Sequence, residues 1–377
     1  MIAASPLACQ RRHFEIPEDV SYLDAAAWSP LPQVVREAGE AGIRAKSRPW
    51  AHPRSDFAHQ TERARTAAAA LIGATADDIA IVGSVSHAMA TVALNLAPPP
   101  GGRILRVADE FPSLCFAFDR LAAQRELTVE TVDRPGDGDW TAAILAAIAR
   151  PGAPPLAVAT LTPSHWTDGT AIDLDRIAPA VRAVGAVLVI DATQAVGAMP
   201  VDVSRWKPDF LTFPTYKWAL GPYGLAFLYA APHRQDGRPL EENVGNTPPP
   251  KGARRYDRGE LRDPVALPMA AAGLELIAQW GVAAISDRLA HLTEHLARGC
   301  ERLGLEVPAC ALRVPHVLGV RCPGGLPHDL IASLAARQVH ASERAGALRL
   351  SPHVWADEGD VDRCLAVLGD LLTERRL

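Results

Sequence analysis

No C-x-x-C pair occurs among the six cysteines, Cys9, Cys115, Cys300, Cys310, Cys322 and Cys364. Scattered through 377 residues, they read as reduced thiols, which excludes a disulfide framework and a cysteine-based zinc site. There is no excess of positive charge either. The formal net charge is -5, so nucleic acid and anionic membrane surfaces are poor partners. No apolar run approaches the ~18–20 residues needed to span a bilayer. In the opening MIAASPLACQRRHFE the arginines follow the weakly apolar part, the wrong order for a secretory signal, so a cytoplasmic location is expected. No G-x-G-x-x-G follows a strand pattern, which argues against a dinucleotide-binding oxidoreductase, and hydrolase motifs such as G-x-S-x-G are absent. His291 and His295 stand four apart on a helical pattern, but without H-E-x-x-H or a third ligand they read as a solvated face, and no metal is expected.

What the sequence has is enough apolar content for a sizeable core, 48% hydrophobic against 21% charged, over a length that suggests two domains. Seven short apolar runs recur at 77–83, 103–108, 127–132, 155–162, 186–192, 209–213 and 225–230. Several are apolar on both faces, as buried parallel strands are. Ala/Leu-rich helical patterns such as TERARTAAAALIG and LDRIAPAVRAVG alternate with them and end on glycine. The alternation predicts an α/β fold with a large doubly wound, mainly parallel sheet. The Pro-, Gly- and charge-rich stretch 231–264 breaks the rhythm, and a long helical pattern follows to about residue 304. The expected division is an N-terminal segment over 1–20, a large domain over 21–255 and a small α+β C-terminal domain over 256–377.

The chemistry concentrates in GAVLVIDATQAVGAMPVDVSRWKPDFLTFPTYKWALGPYG, residues 185–224. Asp191 ends one buried strand and Lys217 follows the next, so both can face a crevice beyond the carboxyl ends of the sheet. A lysine buried among Phe213, Tyr216, Trp218 and Leu220 would lose its proton readily, because desolvation disfavours the ammonium. A carboxylate opposite it could keep a pyridine nitrogen protonated. Spacing alone favours a plainer reading, with Asp191 capping a helix and Lys217 at the surface, because the pattern is common.

The segment resembles the class V aminotransferases, a group that includes cysteine desulfurases, selenocysteine lyases, isopenicillin N epimerase-like proteins and kynureninase. The resemblance rests on Asp191, Gln194 and Gly197 in D-x-x-Q-x-x-G, on Tyr216-Lys217, and on the G-P-x-G at 221–224. It extends from YLDAAAWSPLP at 22–32 to LRLSPHVWADEGDVDRCLAVL at 348–368. It implies an aspartate-aminotransferase-like fold, pyridoxal 5′-phosphate as cofactor, a Schiff base at Lys217 and a homodimer.

By the same resemblance Ser84, Val85 and Ser86 would hold the cofactor phosphate at a helix N-terminus. Phe111 would stack on the ring, and His165 and Gln194 would approach its phenolic oxygen. Asp191 would face the ring nitrogen, Tyr216 would reach the phosphate, and Arg349 would grip the carboxylate of an amino-acid substrate. Trp28, Trp166 and the 241–260 loop are expected as pocket walls. Two departures matter. The stretch QVHASERAGALR at 338–349, where desulfurases carry a catalytic cysteine, has none. Where family members often have R-F-E-x-G-T, whose threonine reaches the phosphate of the neighbouring subunit, this chain has Arg255-Tyr256-Asp257-Arg258-Gly259-Glu260, so Thr247 is the candidate replacement for that contact, and Arg254, Arg255 and Arg258 are candidates for reading an acidic substrate group. The reading is transamination or β-elimination at the α-carbon of an amino acid, as in a C–S lyase. Epimerisation, and a protein that binds ligand without turnover, are the alternatives.

Overall fold

The computed structural model describes residues 7–374, so the first six residues of the N-terminal stretch lie outside it. Each of the seven apolar runs becomes a strand of one sheet: β1 (Ile79–Val82), β2 (Arg103–Val107), β3 (Thr128–Val132), β4 (Leu156–Leu161), β5 (Val187–Asp191), β6 (Phe210–Pro214) and β7 (Ala226–Ala230). Their order is β1-β7-β6-β5-β4-β2-β3. All neighbours pair parallel except those of β7, which runs antiparallel to both β6 and β1. The sheet is therefore mixed and mostly parallel.

The strands are continuous apolar runs because both faces are covered. Successive side chains alternate between faces: Ile79, Ile81, Leu188 and Ile190 enter one core, while Ala80, Val82 and Val189 enter another on the opposite face. Helices Leu174–Ala183 and Arg54–Leu71 cover the first face, and Val85–Leu94 and Pro112–Arg125 cover the second.

The long helical pattern after residue 264 is two helices, Ala266–Trp280 and Val282–Arg302, bent by 76° at Gly281. Gly281 has φ +82°, which a side chain would resist. The first helix sends Leu267, Ala270, Ala271 and Leu274 into the large sheet's core. The second buries Ile285, Leu289, Leu292 and Leu296, one helical stripe, in a separate core with β8 (Leu318–Val320), β9 (Ser342–Arg344) and β10 (Ala347–Leu350), three antiparallel strands in the order β9-β10-β8. Phe14 and Leu23 join that same core, and Ser21–Tyr22 pairs with Val339–His340. Phe14, from the segment expected over 1–20, thus packs with residues of the C-terminal part. The N-terminal segment closes the C-terminal core, and the turn between the two bodies of packing falls at Gly281. Among the described residues no single helix is long and apolar enough to cross a membrane.

Candidate active site

The carboxyl ends of β1, β2, β4, β5 and β6 meet the start of β7 around a cavity of about 270 Å³. This is where a mostly parallel sheet leaves room for a ligand, because the loops there diverge beyond the last paired residues. Gly83 to Ser86 enter it after β1, Glu110 and Phe111 after β2, and Thr162 after β4. Asp191, Thr193 and Gln194 enter at the end of β5, Tyr216 and Lys217 after β6, and Tyr223 before β7.

Lys217 is only 8% exposed. Its Nζ lies 5.9 Å from the centre of the Phe111 ring and 5.6 Å from that of Tyr216. Burial pushes its pKa down to about 8, the charge of Arg349 adds to this, and Asp191 and Asp24 oppose it. Asp191 is pushed the other way, upward, by burial, against hydrogen bonding from Thr193 and the charge of Lys217. Its Oδ1 accepts the Thr193 N–H at 2.9 Å. An anion buried beside so few donors is stabilised by a cationic partner at that end of the cavity.

Ser84 caps the helix Val85–Leu94 by accepting the His87 N–H at 3.0 Å. The preceding N–H groups, at Val85 and Ser86, have no carbonyl within the helix to bind. Both residues line the cavity, and the helix dipole adds to their pull on an anion. Gln194 sets its amide by accepting from Trp218 Nε1 at 2.7 Å and donating to the Ala26 carbonyl at 3.1 Å, which leaves one amide N–H. Gly197, the last residue of D-x-x-Q-x-x-G, has φ +99° and lies against the Trp218 backbone, where a Cβ would strike the carbonyl carbon at 2.7 Å. The glycine is therefore what lets the loop carrying Asp191 and Gln194 pack on the one carrying Lys217.

Nine of the expected residues line this one cavity: Ser84, Val85, Ser86, Phe111, Trp166, Asp191, Gln194, Tyr216 and Lys217. Arg349 does not line it but sits beside it, almost fully buried. Its Nη1 donates to the Trp166 carbonyl at 2.9 Å, its Nη2 donates to Ser342 Oγ at 3.1 Å and lies 3.5 Å from Asp24, and its Nε has no partner.

His165 is not brought to the cavity, and Thr247, expected at the neighbouring subunit's phosphate, lies away from the cavity of its own chain. His165 is wholly buried and stacks on Trp140, with ring centres 5.1 Å apart and planes 4° from parallel. Its Nε2 donates to the Ala108 carbonyl at 3.0 Å and its Nδ1 takes the Thr167 hydroxyl at 2.7 Å, so neither nitrogen remains for a ligand. Thr247 is exposed on the 231–264 loop, facing Asn246. In the Arg255–Glu260 stretch, Asp257 is part of the frame: it pairs with buried Arg65 at 2.8 Å and accepts the Ile81 N–H at 2.7 Å, fastening edge strand β1. Arg254 is held by Glu62 and Asp77, and Arg255 by the Gly237 carbonyl. Arg258 alone reaches the rim, donating to the Gly224 carbonyl at 3.0 Å.

Glu110 and Tyr223 are in the cavity and had not been expected there. Burial pushes the Glu110 carboxyl up to about 8, with the charge of Asp191 adding to the shift. Its Oε1 accepts the Phe111 N–H at 2.7 Å and its Oε2 has no partner. The only sequence signal for it was its place next to Phe111.

The chain matches the aminotransferase class-V model over residues 21–347. It is 28% identical over 315 residues to an uncharacterized aminotransferase of Bacillus subtilis, covering 78% of this chain and 80% of that protein. It is 26% identical over 343 residues to isopenicillin N epimerase of Streptomyces clavuligerus, covering 83% and 84%. Its fold matches that of the apo cysteine desulfurase of Thermococcus onnurineus with a TM-score of 0.84 over 97% of each chain, at 23% identity.

Proposed function

Because the chain belongs to the aminotransferase class-V family, whose members use pyridoxal 5′-phosphate, we propose that Lys217 carries this cofactor and acts at the α-carbon of an amino acid. The observation that carries the reading is the buried Lys217, shifted to about 8, sharing one cavity with Asp191 and a helix N-terminus. That donor set fits the group. Val85 and Ser86 would hold its phosphate, Asp191 would face its ring nitrogen, and Phe111 would cover the ring. The remaining amide N–H of Gln194 would meet the phenolic oxygen.

When bound, the cofactor supplies an electron sink for negative charge at the substrate α-carbon. Lys217, half deprotonated near pH 8, is matched to taking and returning that α-proton. Arg349 would hold the substrate carboxylate on its unpartnered Nε and an adjacent Nη, a fork that fits a carboxylate side-on. No cysteine lines the cavity, which supports transamination or β-elimination over persulfide transfer. The similarity to an epimerase keeps epimerisation as the second reading. A homodimer and a cytoplasmic location accompany the proposal.

The test is the absorption spectrum of the purified protein supplied with cofactor, before and after borohydride, with peptide mapping. The expected outcome is a band above about 400 nm that borohydride abolishes, with the reduced label on Lys217. A protein that gains no band and no label overturns the proposal. Retained turnover in Lys217→Ala would overturn the role given to the lysine.

A further inference from the structure

A second recess adjoins the cavity. It is lined by Trp28, Ser29, Leu31, Pro222, Tyr223 and Met269 among others, and none of its lining residues is charged. Tyr223 belongs to both, so the recess and the cavity meet at that ring. Tyr223 stacks on Tyr216, with ring centres 3.9 Å apart, and forms an edge-to-face pair with Trp28 at 5.5 Å. Trp28 and Tyr223 are nevertheless 60% and 54% exposed, so the two largest rings of the recess spend much of their surface on solvent. Ser29 is the opposite case. It is 3% exposed, and its hydroxyl has no hydrogen-bond partner, which is costly for a buried polar group.

One stretch of chain ties this recess to the substrate end of the cavity. Asp24 lies against Arg349, the Ala26 carbonyl accepts from Gln194, and the Ser29 N–H donates to the Tyr216 carbonyl at 3.3 Å. An amino acid whose carboxylate lies on Arg349 and whose α-carbon faces Lys217 has this stretch alongside its side chain. The recess offers that side chain flat aromatic faces, no charge, and one hydroxyl in need of a partner.

We propose that the substrate is an α-amino acid with a large, uncharged aromatic side chain carrying a single polar group, seated against Trp28 and Tyr223 with that group on Ser29. The inference rests on the cofactor reading above and names the substrate class it takes. Small amino acids leave the recess empty, and acidic ones bring a charge it cannot pair.

The experiment uses holoenzyme whose band and borohydride label on Lys217 have been established first. L-tyrosine, L-phenylalanine, L-alanine, L-cysteine and L-glutamate are mixed with it over a range of concentrations in a stopped-flow spectrometer, and the fast first change of the cofactor band reads binding ahead of turnover. The aromatic pair is expected to half-saturate at concentrations about ten-fold or more below the other three, the worth of burying one large apolar side chain. Trp28→Ala should shrink the ratio of the alanine to the phenylalanine constant by about ten-fold. Ser29→Ala should abolish the preference for tyrosine over phenylalanine. Equal or tighter binding of alanine, cysteine or glutamate overturns the proposal, as does an unchanged ratio in Trp28→Ala. So does a recess sealed by a second copy of the chain, seen as Trp28 fluorescence shielded from a soluble quencher whether or not an amino acid is present. Absence of the cofactor band in the starting protein overturns the underlying reading instead, so the two failures are told apart.

Discussion

Lys217 carries a cost that its chemistry requires. Its pKa falls from the ordinary 10.5 to about 8, so between those values the unfolded chain binds a proton that the folded one has released. Stability therefore rises with pH across that window, and below pH 8 the full penalty of a buried charge remains. Replacing Lys217 by methionine should stabilise the cofactor-free protein by about 2–3 kcal/mol at pH 7. The gain over wild type should shrink toward pH 10.5, as measured by urea unfolding across the pH range. Glu110 is a companion case in which burial and the charge of Asp191 keep a carboxyl neutral near neutral pH. The sequence made Lys217 and Asp191 visible because each ends a strand, and a strand end has a direction. It could not disclose His165, whose fate depends on Trp140 in a remote helix: their stacking is a contact between chain segments that no local pattern reports.

At the scale of elements, the seven strands were legible because burial on both faces leaves uninterrupted apolar runs bounded by turns. The helices after residue 264 were legible as helix but not as two, since the apolar stripe continues through Gly281 and only its φ of +82° redirects it. The close approach at Gly197 is of the same kind. Gly197→Ala should cost about 2 kcal/mol or more, from the positive φ together with the collision at Trp218. Because the shifted loop carries Lys217, cofactor affinity measured by the absorption band should weaken more than the affinity of a substitution equally destabilising elsewhere, such as Leu292→Ala in the C-terminal core. The recess beside Trp28 was foreseen only as a wall, because its floor combines residues near 28, 222 and 269 that are separated by most of the chain.

Across the whole molecule, two buried histidines join the C-terminal core to the loops of the cavity. His316 Nε2 donates to the Gln194 carbonyl at 2.5 Å, and His353 Nε2 to the Trp218 carbonyl at 3.2 Å. Burial pushes them down to about 3 and about 4, against those hydrogen bonds. As pH falls below the ordinary 6.5, the unfolded chain takes up two protons that the folded chain refuses. Stability is thus fully present above 6.5 and lost on acidification through pH 4 toward 3, each histidine contributing up to about 1.4 kcal/mol per pH unit. Glu110 acts in the opposite sense, since from about pH 8 down toward 4.5 it holds a proton that the unfolded chain lacks. The informative quantity is therefore the difference between wild type and His353→Gln, which keeps a donor for the Trp218 carbonyl. The variant should show a shallower loss of stability than wild type between pH 6 and 4, measured by thermal unfolding at stepped pH.

The reversed strand β7 makes the pair β6–β7 a hairpin, closed by the loop that carries Lys217, whereas β7 meets its other neighbour, β1, across Ile79 and Tyr229, from the far side of the sheet's sequence. Local pairings close early in folding and distant ones late, because the entropy of the intervening chain must be given up first. The lysine is thus set in place by a local pairing, while the helix N-terminus after β1 depends on a distant one. The amine and the cradle for the phosphate sit on strands that only β7 joins, so the cavity is complete only when β1 is paired with β7.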